Sequence, residues 1–420
     1  MTSTAPIRAL KIGIIGIGVG GSEMLPIMAA AAEFDLVAGA DIVPQVREAF
    51  TAAYHAKAYA TAEELCKDPE VEAVWISSPN RFHWEHTVLA AQHGKHIIVE
   101  KPMAISLKEG EAMIEAAAKY GVKLIPGHTP GFTPAVRAMR HIAHSGELGP
   151  LQAINITAYS DWMLRARTKE ETDFSQGGGI PYRQGPHQVD AARVIGGGLV
   201  RSVRGSVGQW LPGRTMPGFY SAYLEFENGV PAILTHNGYG YFLTTEFMPY
   251  GANQQMLTTE AKREVRQRLG DGTWDDEAAK NRIRMGGDQA YYASPEFKKK
   301  DRWMPSDFGV AIITCERGDI RQSPNGLYVY GDDGLREQTL TYGRLMGPIE
   351  PRVELLELYE AVVEGKPVYH TGEWGMATLE VCLALIQSSQ ERREIKLSHQ
   401  VPTHPDYDNA PILAKEFGDA

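Results

Sequence analysis

Apolar residues in the first third of the chain fall into short runs separated by amphipathic stretches. Ala9–Ile15, Asp35–Ala40, Ala73–Ser77, His96–Val99 and Val122–Gly127 are brief and β-rich, as strands covered on both faces must be. Gly21–Glu33, Pro44–Tyr54, Phe82–His93 and Leu107–Tyr120 carry helical patterns between them. Strand and helix alternating at this interval predict a doubly wound parallel sheet with helices on both faces.

The pattern changes after about Gly127. A helix is expected at Thr133–Ser145, followed by longer strand candidates at Leu151–Ser160, Val200–Trp210, Phe219–Phe226, Val230–Asn237, Gly309–Glu316 and Leu327–Tyr330. Turn signals such as Glu227-Asn228-Gly229-Val230 join some of them as hairpins. This half therefore reads as an α+β domain, with a large, mostly antiparallel open sheet covered on one face by helices. Met256–Arg302 is polar, and its run AKREVRQRLG is expected as a solvated helix within an inserted excursion near 241–305. Pro351–Glu364 and Trp374–Gln390 are the closing helices. The division expected is 1–128 for the first domain and 129–420 for the second; 420 residues exceed what one hydrophobic core usually holds.

A formal charge of -10 argues against nucleic acid or an anionic membrane as partner, but not against a small anion met by local arginines. Three scattered cysteines, Cys66, Cys315 and Cys382, support neither a disulfide framework nor a zinc cluster, and fit a reducing cytoplasm. No apolar run approaches bilayer length, and the N-terminus lacks the layout of a signal peptide. His83 and His86 stand three apart on one expected helix, but no third residue has the spacing of a metal ligand, so no metal is expected.

The sharpest motif is KIGIIGIGVGGSEML, with Gly16-x-Gly18-x-x-Gly21 between an apolar strand and the helix that Gly21 opens, and Val19 in the candidate cofactor-binding turn. Asp41 closes the second strand. Together they form a dinucleotide-binding signature: a tight turn at Gly16, close pyrophosphate approach at Gly18, and helix–strand packing at Gly21. Asp41 would accept hydrogen bonds from an adenosine ribose and repel a 2′-phosphate, favouring NAD over NADP. Arg47, a turn or two on, would soften that preference. Ser78, Pro79, Asn80 and His83 follow the third strand, and Glu100-Lys101-Pro102 the fourth, at the carboxyl edge where such sheets bind ligands. A lysine beside a nicotinamide can relay a proton or polarise a hydroxyl.

GIGVGG, SSPNRFH, EKPMAIS, GHTPGF and GGGIPYRQGPHQVD, in this order, resemble the Gfo/Idh/MocA oxidoreductase family, as does the C-terminal HTGEWGMATLEVCLALIQSS. The resemblance covers most of the chain outside about 241–305. It implies a Rossmann domain followed by an α+β domain whose open sheet forms a homodimer or homotetramer. It also implies NAD(P)-linked hydride transfer at a carbinol carbon. By motif position, Lys101 would be the active-site lysine and His187 the active-site histidine.

One departure bears on the substrate. The family's pattern has an aspartate four residues before that histidine; here the position holds Arg183. An aspartate suits polyol hydroxyls, whereas an arginine offers a donor fork suited to a carboxylate. Arg165 and Arg167 lie at a strand end in the same domain, with Trp162 as a candidate aromatic wall and Asp190 one turn after His187. Arg183 with GGGIPYRQGPHQVD, and the segment CERGDIRQSPNGLYVYGDDG, resemble the family's phthalate 4,5-cis-dihydrodiol dehydrogenases. The expected substrate is a small anionic cyclic diol. Three competing readings remain. Arg183 instead pairs with a structural acid such as Asp161 or Asp173; the enzyme oxidises a sugar, inositol or sugar acid; or the chain is a non-catalytic NAD-binding sensor.

Overall fold

The computed structural model describes residues 8–247, 259–283, 285–286, 308–324, 326–340 and 352–409. The chain divides into two units. The first is built from the described residues of Met1–Gly127, Ala278–Lys298 and Pro351–Met376, and the second from those of His128–Glu277, Lys299–Glu350 and Ala377–Ala420.

In the first unit, β1 (Leu10–Ile15), β2 (Phe34–Ala40), β3 (Lys57–Tyr59), β4 (Ala73–Ile76), β5 (His96–Glu100) and β6 (Leu124–Gly127) form one sheet in the order β3-β2-β1-β4-β5-β6. Every pair is parallel. The order reverses between β1 and β4, the switch point where a doubly wound sheet opens a crevice at its carboxyl edge. Ile12, Ile14, Val74, Ile76, Ile97 and Val99 are fully buried, as strands covered on both faces require. The short edge strand β3 and the helix Ala62–Lys67 were not expected; three residues are too few to show a period.

The second unit carries β7 (Leu151–Tyr159), β8 (Val200–Gly208), β9 (Phe219–Phe226), β10 (Pro231–Asn237), β11 (Val310–Cys315), β12 (Gly318–Ser323), β13 (Gly326–Gly331), β14 (Gly334–Thr339) and β15 (Ile395–Lys396). Their order is β14-β13-β12-β11-β7-β10-β9-β8-β15, antiparallel throughout except for β10 beside β7. Burial alternates strictly along β9 and β10. Leu224, Ala232, Leu234, Ile154, Ile156 and Ile313 face the core, while Tyr223, Ile233 and Ile312 stay exposed on the other side. The helix Gly185–Gly196 lies on the buried face, where Gln188 donates to the carbonyls of Thr235 (3.1 Å) and Phe308 (2.8 Å).

The described part of the Met256–Arg302 stretch holds the expected surface helix, with Arg263, Glu264 and Gln267 exposed and one side packed inward. The helix Thr259–Gly270 packs Val265 and Leu269 against Leu164, with Leu211 and Trp274 alongside. Residues 256–258, 284 and 287–302 lie outside the described residues.

Candidate active site

At the carboxyl edge of the first sheet the glycine turn has the shape the motif requires. Gly16 has φ +88°, and a side chain there would press within 2.7 Å of the Ser78 amide nitrogen. A Cβ on Gly21 would collide with the Gly16 carbonyl and the Ser77 hydroxyl, whereas one on Gly18 meets nothing within 4 Å. The helix Val19–Ala30 begins at Gly18 without a side-chain cap and without an acid in its first turn, which suits a phosphate. Asp41 is held by the glycine turn and by its own loop: Ile17 N donates to Oδ2 at 2.9 Å and Val43 N to Oδ1 at 2.8 Å. Each carboxylate oxygen keeps a second lone-pair direction for a ribose hydroxyl. Arg47 donates to the Asp41 carbonyl at 2.7 Å. A dinucleotide fits this cradle.

The two following loops are tied together by histidine. His83 is 1% exposed, with Nδ1 2.8 Å from the Pro102 carbonyl and Nε2 2.7 Å from the Ser78 carbonyl. One turn on, His86 Nδ1 meets the Ser78 hydroxyl at 2.9 Å, and burial pushes its pKa down. The pair that suggested metal spacing thus grips one serine; among the described residues no group of three or more His, Cys, Asp and Glu is placed to hold a metal. Asn80 is buried, Pro79 exposed, and Glu100 and Lys101 are half-buried. Glu100 Oε2 accepts from the Lys101 amide at 3.3 Å.

In the second unit four arginines form a strip. Thr168 and Glu171 make a capping box at the helix Lys169–Thr172, which fixes the Glu171 carboxylate. Its Oε1 accepts from Arg167 Nη1 at 3.1 Å and from Arg183 Nη2 at 3.3 Å. Arg165 pairs with Asp161 at 2.8 Å, and Arg214 with Asp276. Four guanidiniums thus share three carboxylates. Burial, with Arg165 and Arg183 nearby, pulls the Arg167 pKa down to about 10 against the pull of Glu171. Arg183 does pair with an acid, but it is Glu171 rather than Asp161 or Asp173. The Arg165 and Arg183 side chains stay 34% and 25% exposed, against 8% and 1% for Arg167 and Arg214.

Three of the expected substrate contacts, Arg167, Trp162 and Asp190, are buried, as is His187. Arg167 stacks on Trp162 at 3.7 Å and donates to its carbonyl at 2.9 and 3.3 Å, so both are packed inside the unit. Asp190 is fully buried, with Oδ1 3.3 Å from His128 Nδ1 and 3.4 Å from Thr378 Oγ1, and a Cβ on Gly131 would collide with its carboxylate. His187, in the first turn of the Gly185–Gly196 helix, is 7% exposed. Sequence reasoning missed Glu171, Arg214 and Asp276; a Thr-x-x-Glu capping signature at Thr168 was the available signal for the first.

Comparison with known proteins agrees with this architecture. Residues 10–128 match the oxidoreductase family model with NAD-binding Rossmann fold, and residues 136–245 the GFO/IDH/MocA C-terminal domain. The chain belongs to the Gfo/Idh/MocA oxidoreductase family. It is therefore an NAD-binding oxidoreductase. It is 32% identical to a 1-carboxy-3-chloro-3,4-dihydroxycyclohexa-1,5-diene dehydrogenase of Comamonas testosteroni, over 91% of this chain and 95% of that protein. A scyllo-inositol 2-dehydrogenase (NADP+) of Bacillus subtilis is 24% identical over 94% and 97% of the two chains. A crystal structure described as a dehydrogenase from Bordetella bronchiseptica superposes with TM-score 0.83 at 36% identity, covering 93% of this chain and all of the other.

Proposed function

We propose that the protein oxidises a carboxylated cyclic cis-dihydrodiol, of the phthalate 4,5-cis-dihydrodiol type, to the corresponding catechol in aromatic-acid catabolism, with residues 1–128 binding NAD and 129–420 carrying substrate recognition. The observation that supports it is the arginine strip. The two arginines of the strip with open surface are Arg165 and Arg183. A substrate carboxylate would be read there through a charge-assisted fork. Arg167, stacked and buried, holds Glu171 in place. The Comamonas relative acts, by its name, on a carboxylated dihydroxycyclohexadiene.

Bound NAD supplies the hydride acceptor. The diol carbon loses hydride while its hydroxyl proton passes to His187 or Lys101 as general base, leaving a hydroxy-enone that tautomerises to the catechol. Aromatisation drives the step, so orientation by Arg165 and Arg183 supplies much of the rate enhancement. Gly16, Gly18, Val19, Gly21, Asp41, Ser78, Pro79, Asn80, Glu100 and Lys101 form the cofactor-binding edge in this reading.

The experiment is Arg183→Asp assayed with phthalate 4,5-cis-dihydrodiol and NAD. A fall in kcat/KM of about 10²-fold is expected, the loss of a charge-assisted contact. Unchanged kinetics overturn the role. The second reading, oxidation of a sugar, inositol or sugar acid, is favoured by the Arg183–Glu171 pair itself, which gives the guanidinium a partner within the protein. In that case Arg183→Asp improves turnover of myo-inositol.

A further inference from the structure

Two carbonyl oxygens face the two ring nitrogens of His83, at 2.8 Å from Pro102 and 2.7 Å from Ser78. A carbonyl only accepts. A neutral imidazole carries one N–H and one lone pair, so in either tautomer one nitrogen would set a lone pair against a carbonyl lone pair. Satisfying both contacts takes two N–H groups. His83 is 1% exposed, so bulk solvent does not reach the ring. A buried cation costs several kcal/mol in lost hydration, offset here by two charge-assisted hydrogen bonds to carbonyl dipoles.

The two carbonyls belong to different loops. Ser78 follows β4 in the stretch read as cofactor-binding; Pro102 follows Lys101 after β5. The ring bridges them. His86 fixes the other end of Ser78 through its hydroxyl at 2.9 Å, and Glu100 holds the Lys101 amide at 3.3 Å. The charged and titratable groups on the elements that carry these carbonyls and the ring are Arg81, Glu85, His86, Glu100 and Lys101. Burial lowers the His86 pKa, and the Ser78 hydroxyl, which both donates and accepts, can serve either ring state.

We propose that His83 is a doubly protonated imidazolium that positions Lys101 by tying the Pro102 carbonyl to the Ser78 carbonyl. His83 is a positioning residue, and the bridge sets the backbone from which the lysine side chain departs. The assignment of Lys101 rests on the proposed function; the protonation state does not.

Neutron diffraction from the deuterium-exchanged wild-type enzyme at pD 8 tests the first half without any variant. Deuterium on both Nδ1 and Nε2 of His83 is expected; a bare nitrogen on either side overturns the proposal. The second half is a double-variant cycle of His83→Gln and Lys101→Ala with phthalate 4,5-cis-dihydrodiol and NAD. His83→Gln, which donates from one end only, is expected to lower kcat ~10²-fold through a displaced lysine, with the KM of the diol held. The double variant is expected to be no slower than Lys101→Ala alone. Losses that multiply overturn the positioning role. If Lys101→Ala keeps full activity, the catalytic reading of the lysine falls, while the neutron result still decides the imidazolium.

Discussion

At the scale of single residues, sharing of one carboxylate decides most of the argument. Glu171 is fixed by its cap with Thr168 and accepts from both Arg167 and Arg183. Removing Arg167 leaves that carboxylate buried with a weaker partner set, so Arg167→Ala is expected to destabilise the second unit by ~3 kcal/mol in urea denaturation. A shift below ~1 kcal/mol would mean that Glu171 finds water instead. Arg183 was legible in the sequence because it reverses the sign found at that position in the resembling family. Its partner was not, since nothing in the spacing of Arg183 and Glu171 reveals that a short helix turns the acid toward the guanidinium. The surroundings of Asp190 were hidden for a related reason. One turn after His187 puts it on a nearby face of the helix, but His128 and Thr378, distant in sequence, enclose it.

At the scale of elements, the glycine turn and the first sheet were legible because each needs only local rules. A strand, three glycines at fixed offsets and a helix leave one arrangement open. Gly21→Ala is expected to abolish NAD binding and lower the thermal midpoint, because its Cβ would strike the Gly16 carbonyl and the Ser77 hydroxyl. Normal NAD affinity by fluorescence titration would contradict the packing described. The Thr259–Gly270 helix shows the limit of such rules. Its run of charges hides Val265 and Leu269, which pack inward. At the edge of the first sheet, Lys57 and Tyr59 on β3 hold Asp68 at 2.8 Å each. Burial pushes the Asp68 carboxyl up, but hydrogen bonds from Lys57, the Glu70 amide and Tyr59 outweigh it and leave the pKa at about 2. The native value lies below the ordinary 3.8. This contribution is therefore complete above pH ~4 and is lost as pH falls toward 2. The wild type should lose more stability than Asp68→Asn across that window in acid denaturation series; parallel curves would contradict the assignment.

At the scale of the molecule, the nine-stranded sheet leaves apolar side chains exposed on one face among the described residues. Cross-strand register lines up Arg204, Tyr223, Ile233, Asn155, Ile312, Arg321 and Tyr328 in one row. Tyr223, Ile233 and Ile312 are 46%, 48% and 42% exposed. Exposed Tyr223, Ile233 and Ile312 between flanking arginines are what an isologous contact covers, and we propose that a second copy of the chain does so, in a homodimer or homotetramer. Ile233→Asp is expected to lower the mass seen by sedimentation, and an unchanged mass would reject this face as the interface. Among the described residues no helix is long and apolar enough to cross a membrane.

The central claim is that a carboxylate-reading guanidinium sets the substrate of this NAD-binding oxidoreductase. The most direct measurement compares kcat/KM, followed by NADH absorbance, for phthalate 4,5-cis-dihydrodiol and for the same cis-diol lacking both carboxylates. The dicarboxylate is expected to be favoured by at least ~10²-fold. Equal or better turnover of the uncharged diol, or of myo-inositol, would contradict it.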